Sequence, residues 1–311
     1  MKNTKIQIKI LKKTKLYYIF YENCKKNIIY KLFYSLIDMK ILCWNIAGIR
    51  AKIKKNYLDF LSKGEYDIVC WQETKAEEKQ VVLSENIKSK YPYRYWNSCN
   101  GKQQRKGLNG TSIWSKTKPV KILPPLDISV NEGRVTALEF STFILITVYT
   151  PNSQYSNSDR NKYRVNEWDI KMKLWIEMLD KIKPTIVCGD FNVANKKIDI
   201  AKPDKWKNAA GFLDSERINF KKLLLSGWCD AFRYKHKNKK ACYTYWNQRI
   251  PWERKANIGW RIDYFLVPIS IKNKIVSCDI HKDIIGSDHC PISLNINIKD
   301  NGFILSGINF L

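Results

Sequence analysis

Thr185-Ile186-Val187-Cys188-Gly189-Asp190-Phe191-Asn192 opens with a β-branched apolar run and closes on a glycine, an acid and an amide. A run so short, bounded by such residues, reads as a buried strand whose polar end emerges at a sheet edge. The arrangement recurs along the chain. Residues 41–44 run into Asn45, 68–71 into Gln72-Glu73-Thr74, and 262–267 are entered through Trp260-Arg261-Ile262-Asp263, while Ser287-Asp288-His289 precedes 292–298. Further strand-like runs lie at 112–114, 135–140, 143–149 and 275–280. Helical spacing appears at Tyr57/Phe60/Leu61, at Trp168/Met172/Trp175/Leu179 with Pro184 as the stop, and at Phe220/Leu223/Leu224 behind Asp214 and Arg217. With no solenoid repeat and no Gly/Ser linker, the expectation is one α/β domain: two mixed sheets face to face, flanked by helices.

Composition narrows the partner. The 311 residues carry 55 Lys+Arg against 29 Asp+Glu, a formal net charge of +26, which points to a polyanion, nucleic acid before an anionic membrane. Part of the lysine excess is the compositional bias an AT-rich genome produces. Residues 1–38 hold nine lysines and two acids, a net +7, so +19 remains for the body. No apolar run of membrane-spanning length is present, and the expected partner set excludes a membrane. The nine cysteines are scattered with no CxxC, as suits reduced thiols rather than a disulfide framework or a zinc cluster. We expect a basic extension at 1–38, a catalytic domain at 39–300 and a tail at 301–311. Because Met39-Lys40-Ile41-Leu42-Cys43-Trp44 runs straight into a strand, Met39 is one expected translation start, Met1 the other. The expected location is cytoplasmic, or mitochondrial or otherwise organellar if 1–38 is a targeting segment.

Each polar strand end has an ordinary reading alone, since an acid after a strand is most often a turn former or helix cap. Their joint order is not ordinary. Trp44-Asn45-Ile46-Ala47-Gly48-Ile49-Arg50-Ala51, Gln72-Glu73-Thr74-Lys75, Glu132-Gly133-Arg134, Tyr149-Thr150-Pro151-Asn152, Gly189-Asp190-Phe191-Asn192, Asn208-Ala209-Ala210-Gly211-Phe212, Asn257-Ile258-Gly259-Trp260-Arg261-Ile262-Asp263 and Gly286-Ser287-Asp288-His289 follow one another in the body. Together they resemble the exonuclease III family of apurinic/apyrimidinic (AP) endonucleases, within the endonuclease/exonuclease/phosphatase superfamily. The resemblance implies a four-layered α/β/β/α sandwich and a monomer acting on double-stranded and abasic-site DNA. It also implies Mg²⁺-dependent cleavage 5′ to the abasic site, with 3′-to-5′ exonuclease and 3′-phosphodiesterase activity.

The same resemblance assigns roles. Asp190 is the water-activating base, with Asn192 beside it; His289, buttressed by Asp263, donates to the phosphate; Tyr149 completes the catalytic group. Glu73, Asn45, Asp190, Asn192, Asp288 and His289 surround Mg²⁺, for which Mn²⁺ is a substitute, and oxygen donors suit that hard cation. Asn152, Asn208, Asn257 and Arg261 are expected at the DNA, and Tyr245, Trp260 and Ile262 at an apolar pocket for the extruded base-free sugar. Lys52, Lys54, Lys55, Lys102, Arg105, Lys106, Lys205 and Lys207 are candidate phosphate contacts, and the segment 247–256, with Trp252, a candidate wedge.

Histidine usage favours this branch. Pancreatic-type DNases place a second histidine shortly after the counterpart of Tyr149-Thr150-Pro151-Asn152, whereas here no histidine occurs between Asn152 and His236. His236, within Lys235-His236-Lys237-Asn238-Lys239-Lys240, is expected in a solvated loop. Two departures stand out. Ala47 replaces the Asp or Asn usual near the metal, which leaves Lys75 without its usual partner, and 153–159 contain no basic residue to insert into a duplex. The competing readings are a non-catalytic or weakly active nucleic-acid-binding relative and another phosphoesterase of the superfamily.

Overall fold

The computed structural model describes residues 38–298 apart from 102–104 and 106. The expected extension therefore lies outside the described residues except for Asp38, and the tail 301–311 lies outside them entirely, as do Lys102 and Lys106. Asp38 itself is buried and accepts from Asn295 Nδ2 (3.3 Å).

Two six-stranded mixed sheets face each other. The first, in order β11-β12-β1-β2-β4-β3, comprises β1 (Met39–Asn45), β2 (Ile68–Gln72), β3 (Tyr93–Asn97), β4 (Thr111–Ser115), β11 (Ile275–Ile280) and β12 (Ile292–Ile296). The second, in order β5-β6-β7-β8-β10-β9, comprises β5 (Lys121–Leu123), β6 (Val135–Glu139), β7 (Ile144–Tyr149), β8 (Thr185–Asp190), β9 (Trp228–Asp230) and β10 (Asp263–Pro268). Each sheet holds one central parallel pair, β1 with β2 and β7 with β8.

Strand alternation explains both the core and the site. Ile41 and Cys43 of β1, Ile68 and Cys70 of β2, Leu145 of β7, Ile186 and Cys188 of β8, and Phe265 and Val267 of β10 form the core between the sheets. Further along those inner rows stand Asn45, Gln72, Tyr149, Asp190 and, at the start of β10, Asp263. Register aligns them: Asn45 faces Gln72, and Asp190 lies between Tyr149 and Asp263. The apolar inner faces thus end in polar groups at one mouth of the sandwich. Gly189 permits this approach, because a Cβ there would stand 1.9 Å from the Val148 carbonyl oxygen.

The outer faces are covered unequally. Val187, Ile146 and Leu266 pack under Trp168, Met172 and Ile176 at α4 (Asp169–Ile182) and under Phe220 and Leu223 of α5 (Asp214–Leu225). Helix α4 ends where the sequence predicts, ahead of Pro184. Glu216 accepts from the amides of Gly211 (2.8 Å) and Leu213 (3.0 Å) and so anchors the start of α5. The other sheet is roofed by α1 (Ile49–Lys54), a 3-10 turn (Asp59–Lys63) and α2 (Glu85–Lys90), over Trp44, Trp71 and Trp114. The spacing at Tyr57/Phe60/Leu61 thus yields only that 3-10 turn. Three further helices, α3 (Asp159–Tyr163), α6 (Ala231–Lys235) and α7 (Pro251–Lys255), lie in connections. His236 is not in a solvated loop: it caps α6, its Nε2 lies 3.2 Å from the Cys278 carbonyl oxygen, and its ring packs on Phe232. Among the described residues no helix is long and apolar enough to cross a membrane.

Candidate active site

Asn45 is the hinge of the polar mouth. Fully buried, it donates through Nδ2 to Glu73 Oε1 (3.0 Å) and Asp190 Oδ2 (2.9 Å), joining the two sheets. The other Asp190 oxygen accepts from the Asn192 amide (2.8 Å). Asn192 in turn donates to the Thr150 carbonyl (2.9 Å) and accepts from Asn152 Nδ2 (3.1 Å), so 150–152 and 190–192 are one unit. The fully buried Arg164 guanidinium ties the same two segments from below, donating to Pro151 O (2.7 Å), Phe191 O (2.8 Å) and Asp169 (2.8 Å). Ala47, Glu73, Lys75 and Asn192 adopt positive φ without being glycine, a concentration of backbone strain that clusters at functional sites.

His289 arrives from the opposite sheet on the connection before β12. Its Nδ1 lies 2.8 Å from Asp263 Oδ2, and its Nε2 3.8 Å from Asp190 Oδ2. Burial opposes charge on this ring, but the carboxylates of Asp263, Asp190 and Asp288 prevail and hold its pKa up to about 10. Burial raises Asp190 to about 7; His289 pulls it down while Asp263 and Glu73 push it up. Tyr149, half-buried and hydrogen-bonded to Glu73, is driven well above its ordinary value by desolvation and by the charges of Glu73 and Asp190, so its phenol stays neutral. The site therefore pairs a carboxylate that changes charge near neutrality with an imidazolium that keeps its proton.

Carboxylate and amide oxygens dominate the donor set, which fits a hard divalent cation. Asp190, Asp263 and His289 bring ligand atoms within 4.8 Å of one another, and Asn45 links this cluster to Glu73. Asp263 Oδ1 has no protein partner although buried. Ala47 contributes no ligand, yet Lys75 does not lack a partner: its Nζ sits 2.7 Å from Glu73 Oε2. Asp288 Oδ1 lies 3.0 Å from Ser287 Oγ, and its charge faces Lys52 of α1.

A family model described as the Endonuclease/Exonuclease/phosphatase family matches residues 42–289. An exodeoxyribonuclease of Bacillus subtilis is 40% identical over 263 residues, covering 84% of this chain and 100% of its own length. The chain belongs to the exonuclease III-type AP endonucleases of that family. A DNA-(apurinic or apyrimidinic site) endonuclease of Dictyostelium discoideum is 35% identical over 265 residues, 84% of this chain and 72% of its own. The structure of an AP endonuclease from Archaeoglobus fulgidus superposes with a TM-score of 0.72 at 26% identity, covering 84% of this chain and 100% of that one. Members are metal-dependent nucleases, and the buried acid and imidazole cluster is the matching feature here.

Beside the acids lies an apolar wall of the AP endonuclease fold. Ile262 clusters with Ala194, Ile200 and Phe212, and Trp206, Tyr245 and Trp260 pack against them from the surface. Tyr245 pairs with both Trp260 and His289, its ring 4.9 Å from the imidazole, so the wall adjoins the His289–Asp190 cluster. Trp206, 5.7 Å from Trp260, carried no motif and was missed. Asn208 is exposed, and Asn257 is half-buried and donates to Ala241 O (3.0 Å). Arg261 is a correction. It is 0% exposed and its guanidinium is held by Asp199 (2.9 Å) and Asp230 (2.6 and 3.3 Å), so it braces the wall from inside and cannot reach DNA. Within 247–256, Trp252 on α7 is 57% exposed, whereas Arg254 is engaged internally.

Proposed function

We propose that this chain hydrolyses the phosphodiester 5′ to an abasic site in duplex DNA, leaving a 3′-hydroxyl, and that the same centre removes 3′ blocking groups and nucleotides from duplex ends. The observation that carries the reading is the arrangement around Asp190: one carboxylate fixed by Asn45 and the Asn192 amide, 3.8 Å from a histidine whose far nitrogen is held by Asp263.

Asp190 takes the proton of the attacking water, and Asn192 fixes its orientation. His289 keeps its proton at physiological pH and offers Nε2–H to a phosphoryl oxygen; Asp263 sets the ring and stabilises its charge. Tyr149 supplies a neutral O–H, and Asn152 an amide donor, at the same phosphate. Glu73, with Asn45, Asp190 and Asp288, would hold Mg²⁺, or Mn²⁺ in its place, which when bound neutralises charge on the phosphoryl group and leaving oxygen. The wall of Tyr245, Trp260 and Ile262 accepts a base-free sugar, which has no base to unpair, and refuses a normal nucleotide by size. The test is incubation with a duplex bearing one abasic site, with Mg²⁺ or with EDTA. A single cut 5′ to the lesion, abolished by EDTA, is the expected result; no cleavage of that duplex alongside hydrolysis of a soluble phosphate ester would overturn it.

A further inference from the structure

The segment between β11 and β12 that carries Ser287, Asp288 and His289 has almost no regular structure, so beyond the backbone bonds that join Asp288 and Cys290 to residues 244–246 its position rests on side-chain ties. One residue supplies three. Arg254, near the end of α7, donates through Nη1 to Ser287 O (2.5 Å) and through Nη2 to Ile284 O (3.2 Å) and Lys282 O (3.3 Å). Its guanidinium carbon lies 4.7 Å over the Trp246 ring, and the Trp246 amide donates to Asp288 O (3.0 Å). From Ser287 the ties continue inward: its hydroxyl donates to Asn45 O (2.8 Å) and accepts from the His289 amide (3.2 Å). Asn45 holds Glu73 and Asp190. Outward, α7 presents the exposed Trp252, with exposed Arg249 just before it.

We infer that Arg254 is a positioning residue that makes the seating of α7 on the duplex and the placement of Asp288 and His289 at the phosphate a single event. The inference rests on the nuclease reading above. A planar guanidinium reaches three diverging carbonyls that an ammonium cannot hold together. The segment runs along the surface, so water replaces those bonds when Arg254 is removed. Fold stability changes little, but the segment gains freedom and the histidine loses its registry, an error to which rates are far more sensitive than binding.

The experiment compares the parent, Arg254→Ala and Arg254→Lys on a duplex with one abasic site, measuring kcat, KM, affinity by fluorescence anisotropy, and a thermal melt. The expected result is a kcat lowered roughly 10- to 100-fold with KM and affinity unchanged, partly restored in Arg254→Ala by low-millimolar guanidinium chloride, which does not accelerate the parent. An unchanged kcat, or kcat and affinity falling together without rescue, overturns the inference. If Arg254→Ala does not fold, Arg254→Lys, which keeps the charge and the stem, is judged by the same kcat-against-affinity split. A parent that fails to cut the abasic duplex sinks the nuclease reading and this inference with it, whereas a parent that cuts beside an unimpaired variant sinks the inference alone.

Discussion

His289 Nδ1 and Asp263 Oδ2 stand 2.8 Å apart although His289 lies in the connection between β11 and β12 of one sheet and Asp263 opens β10 of the other. The pair closes the mouth of the sandwich and keeps the imidazole charged against the cost of burial. Its folded pKa, about 10, lies above the ordinary 6.5. The stabilisation it contributes is therefore complete below the ordinary value and lost as pH rises through the folded one. In metal-free protein, imidazole NMR should show His289 titrating far above His281, which burial lowers. With Asp263→Asn, burial gains the upper hand and the His289 value should fall by several units. A His289 titration near 6.5 in the parent would refute the pairing as the source of its charge.

Ala47 and Lys75 define the second expectation. Lys75 occupies Glu73 Oε2 at 2.7 Å with no carboxylate at position 47 to draw it away. Ala47→Asp adds an oxygen ligand and an alternative partner for Lys75, so the Mg²⁺ concentration giving half-maximal rate should fall. The backbone at position 47, at φ 47°, also suits Asp better than Ala, so the variant should melt no lower than the parent. An unchanged or raised Mg²⁺ requirement would place residue 47 outside the cation's reach.

Trp260 should govern which lesion is cut rather than how tightly DNA is held. Phosphate contacts are common to any duplex, whereas the wall that Trp260 forms with Tyr245 and Ile262 is, on the proposed reading, the part that would meet only an extruded sugar. Trp260→Ala should lower abasic-site cleavage far more than nonspecific binding. Truncating a large aromatic costs ~3–5 kcal/mol, so a melt first establishes that the variant is folded. A folded variant that keeps the parent's preference for abasic over intact DNA would move discrimination elsewhere, with Trp252 the next candidate.

Arg164 is expected to matter through stability. Replacing it with Met strands the Pro151 and Phe191 carbonyls and leaves the half-buried Asp169 carboxylate without its counter-charge. Burial already raises the Asp169 pKa, with Arg164 opposing, so the substitution should raise it further. Breaking a buried pair from one side costs about 3–5 kcal/mol. Urea unfolding would measure it, and a loss under about 1 kcal/mol, within the range of exposed pairs, would show that water replaces the guanidinium.

What was legible in the sequence was whatever lies on buried central strands. Asn45, Tyr149 and Asp190 end, Glu73 follows and Asp263 opens apolar runs long enough to be recognised, and strand alternation then fixes the common face of Asn45, Tyr149, Asp190 and Asp263. The strands that escaped notice are edges: β3 is half-buried and polar, and β5 and β9 have three residues each, too few for a period to show. Arg261 misled because a motif position next to the site says nothing about which way its side chain turns. The acids that turn it inward, Asp199 and Asp230, are 62 and 31 residues away in sequence. Arg164 and Trp206 were invisible for a related reason, and Arg254, which lies in the segment expected to enter a groove, instead turns its guanidinium onto the carbonyls of Lys282, Ile284 and Ser287, since each acts through contacts that only the folded chain creates.

The most direct test of the account is Asp190→Asn, which keeps the shape of the site and the Asn45 and Asn192 neighbours but removes the base. Single-turnover cleavage of a one-abasic-site duplex in Mg²⁺ should slow by roughly 10²- to 10⁴-fold, while anisotropy shows binding equal to the parent's. Cleavage within about tenfold of the parent, below the range expected for losing a general base, would contradict the account and remove Asp190 from the mechanism.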